Sequence, residues 1–319
     1  MYHPLPLDPR DDRFDFQRYI ERHRRLSGAG ERGEGYAYAG DLKVLRTMRS
    51  IKPVELAVAS VVRFWKSMLK PQLLGQAVKV TASQFPKIHE LTVLAASRLG
   101  VEPPQVYVVP ALGALNAATL GTDDDAFIMI NSATVDHMTD DELLFIVGHE
   151  CGHVQNNHVV YTTALYYLTY AASIFLRWIV TPAVIALNSW SRRAELTCDR
   201  AGLLSTRSLD AGERALIKLA VGSQKLYEQL DVEEYLKQLE EGDRSIGRVS
   251  ELLQSHPYLP KRVKALRLFA ESDVFRRAMG ESGGRPKADV DEEVSKIVSV
   301  LFKEGDRARD EGGKDGSDG

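Results

Sequence analysis

The string His149-Glu150-Cys151-Gly152-His153 sets two imidazoles and a carboxylate at a spacing suited to metal-assisted hydrolysis. On a helix, residues four apart lie on one face, so both imidazoles can reach a single ion. Glu150 projects about 100° round from His149, within reach of a water in the ion's open position. Zinc in hydrolytic sites takes three protein ligands and keeps one position open, bringing the water's pKa down to about 7. Glu150 would then act as general base, taking the water's proton and handing it to the leaving amine. The bland alternative is a helix that happens to carry two of the chain's 8 histidines. The motif therefore needs support from elsewhere in the chain.

Glu195-Leu196-Thr197-Cys198-Asp199 supplies that support. A carboxylate on a second helix is the third ligand that a two-histidine site lacks. Asp199, one turn on from Glu195, can accept the other ring N–H of a metal-bound histidine and fix its tautomer. Taken alone, Glu and Asp four apart describe many surface helices; downstream of the histidine pair they read as a ligand and its partner. Cys151 lies roughly 200° round from His149 and should point into the core, where free cysteine behaves as a small hydrophobe. His158 is too far along the same helix to share the ion and reads as structural.

These groups need two helices and something to line the cleft. Thr139 and Glu142 have capping-box spacing before an apolar run, so DELLFIVGHECGHVQNNHVV should be a helix of about five turns. SRRAELTCDRAGLL should be a separate polar-faced helix, starting after a break at Asn188-Ser189-Trp190. QVYVV and AFIMIN have the β-branched and aromatic content of short strands, with a small, Gly-rich stretch from Leu112 to Asp125 between them. Helical patterns also cover about Leu42 to Leu74, KIHELTVLAASRLG stopped by Gly100, and about Ala211 to Glu241. Pro260 should sit in the first turn of KRVKALRLFAES. The expected class is mainly α (α+β): helices with a small β-sheet beside the helix that carries HECGH.

The 319 residues carry 41 Lys plus Arg against 44 Asp plus Glu, a formal charge of −3 that argues against a dedicated nucleic-acid binder. Two cysteines cannot build a disulfide framework, and the start of the chain shows no secretory leader, so reducing cytoplasm is the expected compartment. Residues 1–41 read as a charged, loosely ordered arm, 42–275 as the catalytic domain, and 276–319 as a polar tail with one short amphipathic helix around Val290 to Lys303.

HECGH followed by ELTCD resembles the gluzincin zinc metallopeptidases, specifically the HtpX and CAAX prenyl protease family. LGQAVKVTASQFPKIHELTVLAASRLGVEPPQVYVV, LNAATLG, AELTCDRAGLL and SHPYLPKRVKAL agree with it in order, over roughly residues 75–270. The resemblance implies one Zn(2+) per chain held by His149, His153 and Glu195, with Glu150 as base, acting in quality control or in processing of specific substrates. Asn116 and Ala117, with the strand AFIMIN, can offer an edge to an extended peptide by strand addition. His256, with Tyr258 and Arg262, can lie over the zinc and stabilise the oxyanion; in relatives an equivalent His-Pro loop can also hold the enzyme latent.

Ala164 to Leu187 is long enough to cross a bilayer, but it contains Arg177 and Pro182. A single crossing would put His153 and Glu195 on opposite sides, so a buried or peripherally membrane-docked hairpin is expected, with any association on the cytoplasmic face. The reading is a zinc-dependent metalloendopeptidase acting on unfolded or extended polypeptides. An exopeptidase, a non-catalytic zinc-fold chaperone or scaffold, and an HExxH enzyme on another substrate are the rivals.

Overall fold

The computed structural model describes residues 35–48, 52–110, 115–122, 124–170, 177–242 and 259–298. Helices dominate, and four short strands form one mixed sheet. The described residues open with α1 (Ala39–Met48) and α2 (Lys52–Phe64), then a π-helical turn at Trp65–Leu69 and α3 (Lys70–Leu74). The helical pattern expected from about Leu42 to Leu74 is thus divided into several pieces, with Pro53 in the first turn of α2.

The sheet comprises β1 (Val78–Lys79), β2 (Gln105–Val109), β3 (Ala117–Thr122) and β4 (Asp125–Asn131), in the order β1-β2-β4-β3. Only β2 and β4 run parallel. Between β1 and β2 runs α4 (Pro86–Leu99), which ends at Gly100 in the left-handed region, φ 69°, as a glycine stop requires. Two strands were expected, and the described residues contain four. β3 escapes the propensity reading because AATLGT is small and glycine-containing, and its place is set by pairing with β4.

Alternation along β4 sends Ile128 and Ile130 to the main core and Phe127 to a second cluster with Trp65 and Leu120. AFIMIN is therefore an inner strand paired on both sides, and the outer strand beside it is β3, whose outer side is partly met by the hydroxyls of Thr162 and Thr163. That corrects the expectation of an edge along AFIMIN.

After α5 (Ser132–His137) comes the buried helix α6 (Asp140–Gln155), opened by the capping box. The Thr139 amide donates to Glu142 at 2.8 Å and the Glu142 amide to the Thr139 hydroxyl at 3.4 Å. This helix stops at Gln155, shorter than expected, because Asn157 turns left-handed (φ 57°). The turn leads into α7 (Val159–Tyr170). Helix α8 (Arg177–Thr206) then runs 30 residues without a break at Asn188-Ser189-Trp190. Polar side chains of that trio find partners with the helix intact: the Trp190 indole donates to Asp41 at 3.0 Å, and the Ser189 hydroxyl accepts from Arg193 at 3.1 Å.

The remaining helices among the described residues are α9 (Leu209–Val221), α10 (Gln224–Tyr227), α11 (Val232–Gly242), α12 (Leu259–Ala270), α13 (Asp273–Ala278) and α14 (Lys287–Val298). Pro260 falls in the first turn of α12, where its missing N–H costs nothing. Residues of α2, α7 and α8, including Val58, Ala164, Leu187 and Trp190, make one buried cluster. Among the described residues no helix is long and apolar enough to cross a membrane. Tyr36, Ala37, Tyr38 and Asp41, read from sequence as the end of a loose arm, are buried.

Candidate active site

The site lies where α6 packs along α8. Gly148 and Gly152 make that approach possible. A Cβ at Gly148 would run into Ser205, and one at Gly152 would lie 2.7 Å from the Ala201 Cβ. The close packing turns His149 and His153 of α6 toward Glu195 of α8. Nε2 of His149 is 3.5 Å from one Glu195 carboxylate oxygen, and Nε2 of His153 is 3.7 Å from the other. All three side chains are buried.

Two zinc–ligand bonds of about 2.0–2.2 Å span at most about 4.4 Å, so each of these two separations is short enough for an ion to bridge. Two imidazoles and a carboxylate are also the donor set of hydrolytic zinc sites. Cys198 is a rival third donor, its sulfur and the histidine nitrogens lying within 4.8 Å of one another. Glu195 is the better fit. A carboxylate binds in its ordinary ionised form, whereas burial pushes the Cys198 thiol well above its usual pKa, opposing the thiolate a metal needs. Cys151 is buried in the main core, with burial raising its pKa to about 12.

Asp199 accepts from Nδ1 of His149 at 3.0 Å, the contact that leaves Nε2 directed to the site. Arg262 of α12 holds both carboxylates. Its Nε and Nη2 donate to Asp199 at 2.8 and 2.6 Å, and Nη1 lies 3.0 Å from Glu195. Burial by itself would raise the Asp199 pKa, but the Arg262 charge and hydrogen bonds prevail and hold it below the ordinary carboxylate value. At His149 burial works against the charged ring, and the Asp199 hydrogen bond with the Glu195 charge outweighs it, leaving the pKa raised. Arg262 itself is raised, its burial outweighed first by Asp199 and then by Glu195.

The expected residues thus separate. His149, Glu150, His153, Glu195, Asp199 and Arg262 come together. Arg262 arrives with its guanidinium on Glu195 and Asp199. Asn116 sits at the start of β3 with its carbonyl accepting from the Asn131 amide at 3.0 Å and its amide donating to the Thr134 hydroxyl at 2.7 Å. Ala117 begins the outer strand. His256 and Tyr258 lie outside the described residues.

Three groups were missed or misplaced in the sequence reading. The Thr119 hydroxyl of β3 lies 2.6 Å from the Glu150 carboxylate; only its alternation within LNAATLG could have signalled that. His158 is not carried along α6 but folded back by the left-handed turn, its ring 5.3 Å from that of His153. One of its nitrogens meets the Cys198 sulfur at 3.6 Å and the other Asp41 at 3.1 Å. Asp41 also accepts from Thr197 at 2.7 Å, tying α1 to the back of the site.

The catalytic helix with its paired histidines, the carboxylate helix beside it and the small mixed sheet define a mainly helical zincin-type domain. The family model for peptidase family M48 matches residues 82–270, and the chain belongs to that family. It is 34% identical over 180 residues to the plastoglobule-localized metallopeptidase 48, chloroplastic, of Arabidopsis thaliana, covering 54% of this chain and 51% of that protein. It is 26% identical to Protease HtpX of Haemophilus ducreyi, covering 54% of this chain and 68% of the relative. A Protease HtpX homolog of Methanopyrus kandleri is 27% identical, with 59% and 68% covered. The chain therefore spans about half the length of the Arabidopsis relative. No solved structure matches it.

Proposed function

We propose that this chain is a zinc-dependent metalloendopeptidase that hydrolyses peptide bonds in unfolded or extended polypeptides. One observation carries the reading: the Glu195 carboxylate lies 3.5 Å and 3.7 Å from the imidazoles of His149 and His153, beside Glu150. His149, His153 and Glu195 would hold one Zn(2+), which when bound polarises the scissile carbonyl and acidifies the attacking water. Glu150 takes a proton from that water and returns it to the leaving amine, so the carboxylate ends each cycle ionised. Asp199 keeps the His149 ring in one tautomer and orientation. Arg262 holds Asp199 and Glu195 in place and keeps Asp199 ionised, a positioning role in place of the oxyanion role offered beside His256.

An extended substrate is expected to add to the outer edge of β3. The far part of that edge is taken by α7, whose Thr162 and Thr163 hydroxyls hold the Thr119 carbonyl and the Gly121 amide, so substrate would pair at its near end. The edge beside Asn116 and Ala117 is where a peptide would pair. The family and the names of the relatives support a peptidase; a role in quality control rests on the family resemblance.

The test is digestion of casein and a peptide library, with and without chelator, by the wild type and by Glu150→Gln. Chelator-sensitive cuts inside chains, with zinc retained but cleavage lost in the variant, are expected. Trimming from chain ends would make the protein an exopeptidase. Zinc bound with no cleavage by the wild type would leave a scaffold.

A further inference from the structure

We infer that Thr119 is a positioning residue for the Glu150 carboxylate, coupling the general base to the strand that receives substrate. The inference rests on the peptidase reading above. Thr119 pairs with Ile128 across the β3–β4 ladder, so its side chain lies on the face turned to α6, with Ile128 and the main core. There its hydroxyl stands 2.6 Å from Oε2 of Glu150 and 3.1 Å from the Glu150 main-chain oxygen. The hydroxyl has one proton and both neighbours are acceptors, so the shorter, charge-assisted contact to the carboxylate takes it. Thr119 is only 3% exposed and Glu150 only 5%, so little water is at hand to make the bond instead.

A glutamate has three side-chain torsions, and the last, which sets the carboxylate plane, has a broad and shallow preference. A fixed donor on one oxygen removes that freedom. The donor is itself held. Its strand is paired to β4 on one side, and on the other the Thr162 hydroxyl donates to the Thr119 carbonyl at 3.1 Å. The Thr163 hydroxyl accepts from the Gly121 amide at 2.8 Å. A peptide added beside Ala117 would share this rigid strand with the group that aims the base, so substrate register and base orientation are set by one element.

The test compares Thr119→Val, equal in shape but without the donor, with Thr119→Ser, which keeps it. Thr119→Val should lower kcat by about 10- to 100-fold, the scale of a base displaced by about an ångström, while KM and zinc stoichiometry stay within about twofold of wild type. Thr119→Ser should recover most of the loss. In the metal-free protein, the Glu150 side-chain carboxyl carbon, followed by NMR in a glutamate-labelled chain, should move in the valine variant and stay put in the serine variant. Unchanged kcat in Thr119→Val, or a serine variant as impaired as the valine one, overturns the inference; so does a raised KM at constant kcat, or an unmoved carboxyl signal. A zinc-loaded wild type that cleaves nothing rejects the peptidase reading itself, whereas an active wild type matched by Thr119→Val rejects Thr119 alone.

Discussion

Gly152 of the catalytic helix packs so tightly on Ala201 of α8 that a Cβ at Gly152 would lie 2.7 Å from the Ala201 Cβ and 3.2 Å from the Cys198 Cα. Both obstacles are small or main-chain atoms that cannot swing aside. Gly152→Ala should force the two helices apart, destabilising by about 1–3 kcal/mol as overpacked cores do. The same displacement carries His153 away from Glu195, so zinc affinity should fall with stability. Denaturant unfolding and competitive zinc titration measure the two effects, and a variant with wild-type values for both would show that the contact is tolerant.

Arg262 neutralises two buried carboxylates at once. Arg262→Ala leaves Glu195 and Asp199 without their cation, and breaking a buried pair in this way costs about 3–5 kcal/mol. Arg262→Lys should recover only part, because an ammonium cannot reproduce the two-pronged contact with Asp199 while reaching Glu195. Urea midpoints should rank wild type above lysine above alanine. Equal midpoints would mean that water replaces the guanidinium.

Asp199→Asn keeps the shape of the contact with His149 but removes its charge. Loss of such a partner weakens metal binding by about 10- to 100-fold. Titration against a zinc chelator should show that drop, and unchanged affinity would remove Asp199 from the metal site.

The His149 pKa is raised in the metal-free protein, where the Asp199 hydrogen bond and the Glu195 charge outweigh burial. Its stabilising proton is fully in place below the ordinary imidazole value of about 6.5 and is lost as pH rises through the higher folded value. Zinc binding must displace that proton, so affinity falls as pH is lowered from about 8 to 6. The gap in unfolding midpoint between zinc-loaded and metal-free protein should therefore widen as pH rises over that range. Asp199 has the opposite sense: its pKa is depressed, so its contribution is present above about 3.9 and is lost as pH falls through the lower folded value. A gap that is flat with pH would contradict the His149 assignment.

Asp41 receives the Trp190 indole and the Thr197 hydroxyl and faces His158, all from within the fold. Asp41→Ala orphans these buried donors, each at about 1–3 kcal/mol before relaxation. Loss of amide protection in α1 should precede global unfolding in that variant, as hydrogen exchange would report. Protection equal to wild type would mean that α1 is held by its apolar contacts alone.

Much of the site was legible because its information is local. The four-residue spacing of His149 and His153, the capping box at Thr139 and Glu142, and the carboxylates at Glu195 and Asp199 follow from helical periodicity alone. Where local rules competed with tertiary partners, the partners won. Asn188-Ser189-Trp190 has the composition of a break, yet Asp41, far away in sequence, satisfies the Trp190 indole and α8 continues. β3 is weak by propensity and exists through its ladder with β4.

From its residues alone the chain declared its class and the atoms that can meet a metal, since one helix repeat brings His149 and His153 to a common face and makes a carboxylate on a second helix their natural complement. Only the tertiary structure decided what holds those atoms. Arg262 is brought to Glu195 and Asp199 from 67 and 63 positions away, Thr119 reaches Glu150 from the outer strand, and His158 returns beneath His153 through a left-handed turn. Such contacts join segments with no periodic relation to one another. Their placement depends on close helix packing at Gly148 and Gly152 and on strand pairing, both of which exist only once the chain has folded.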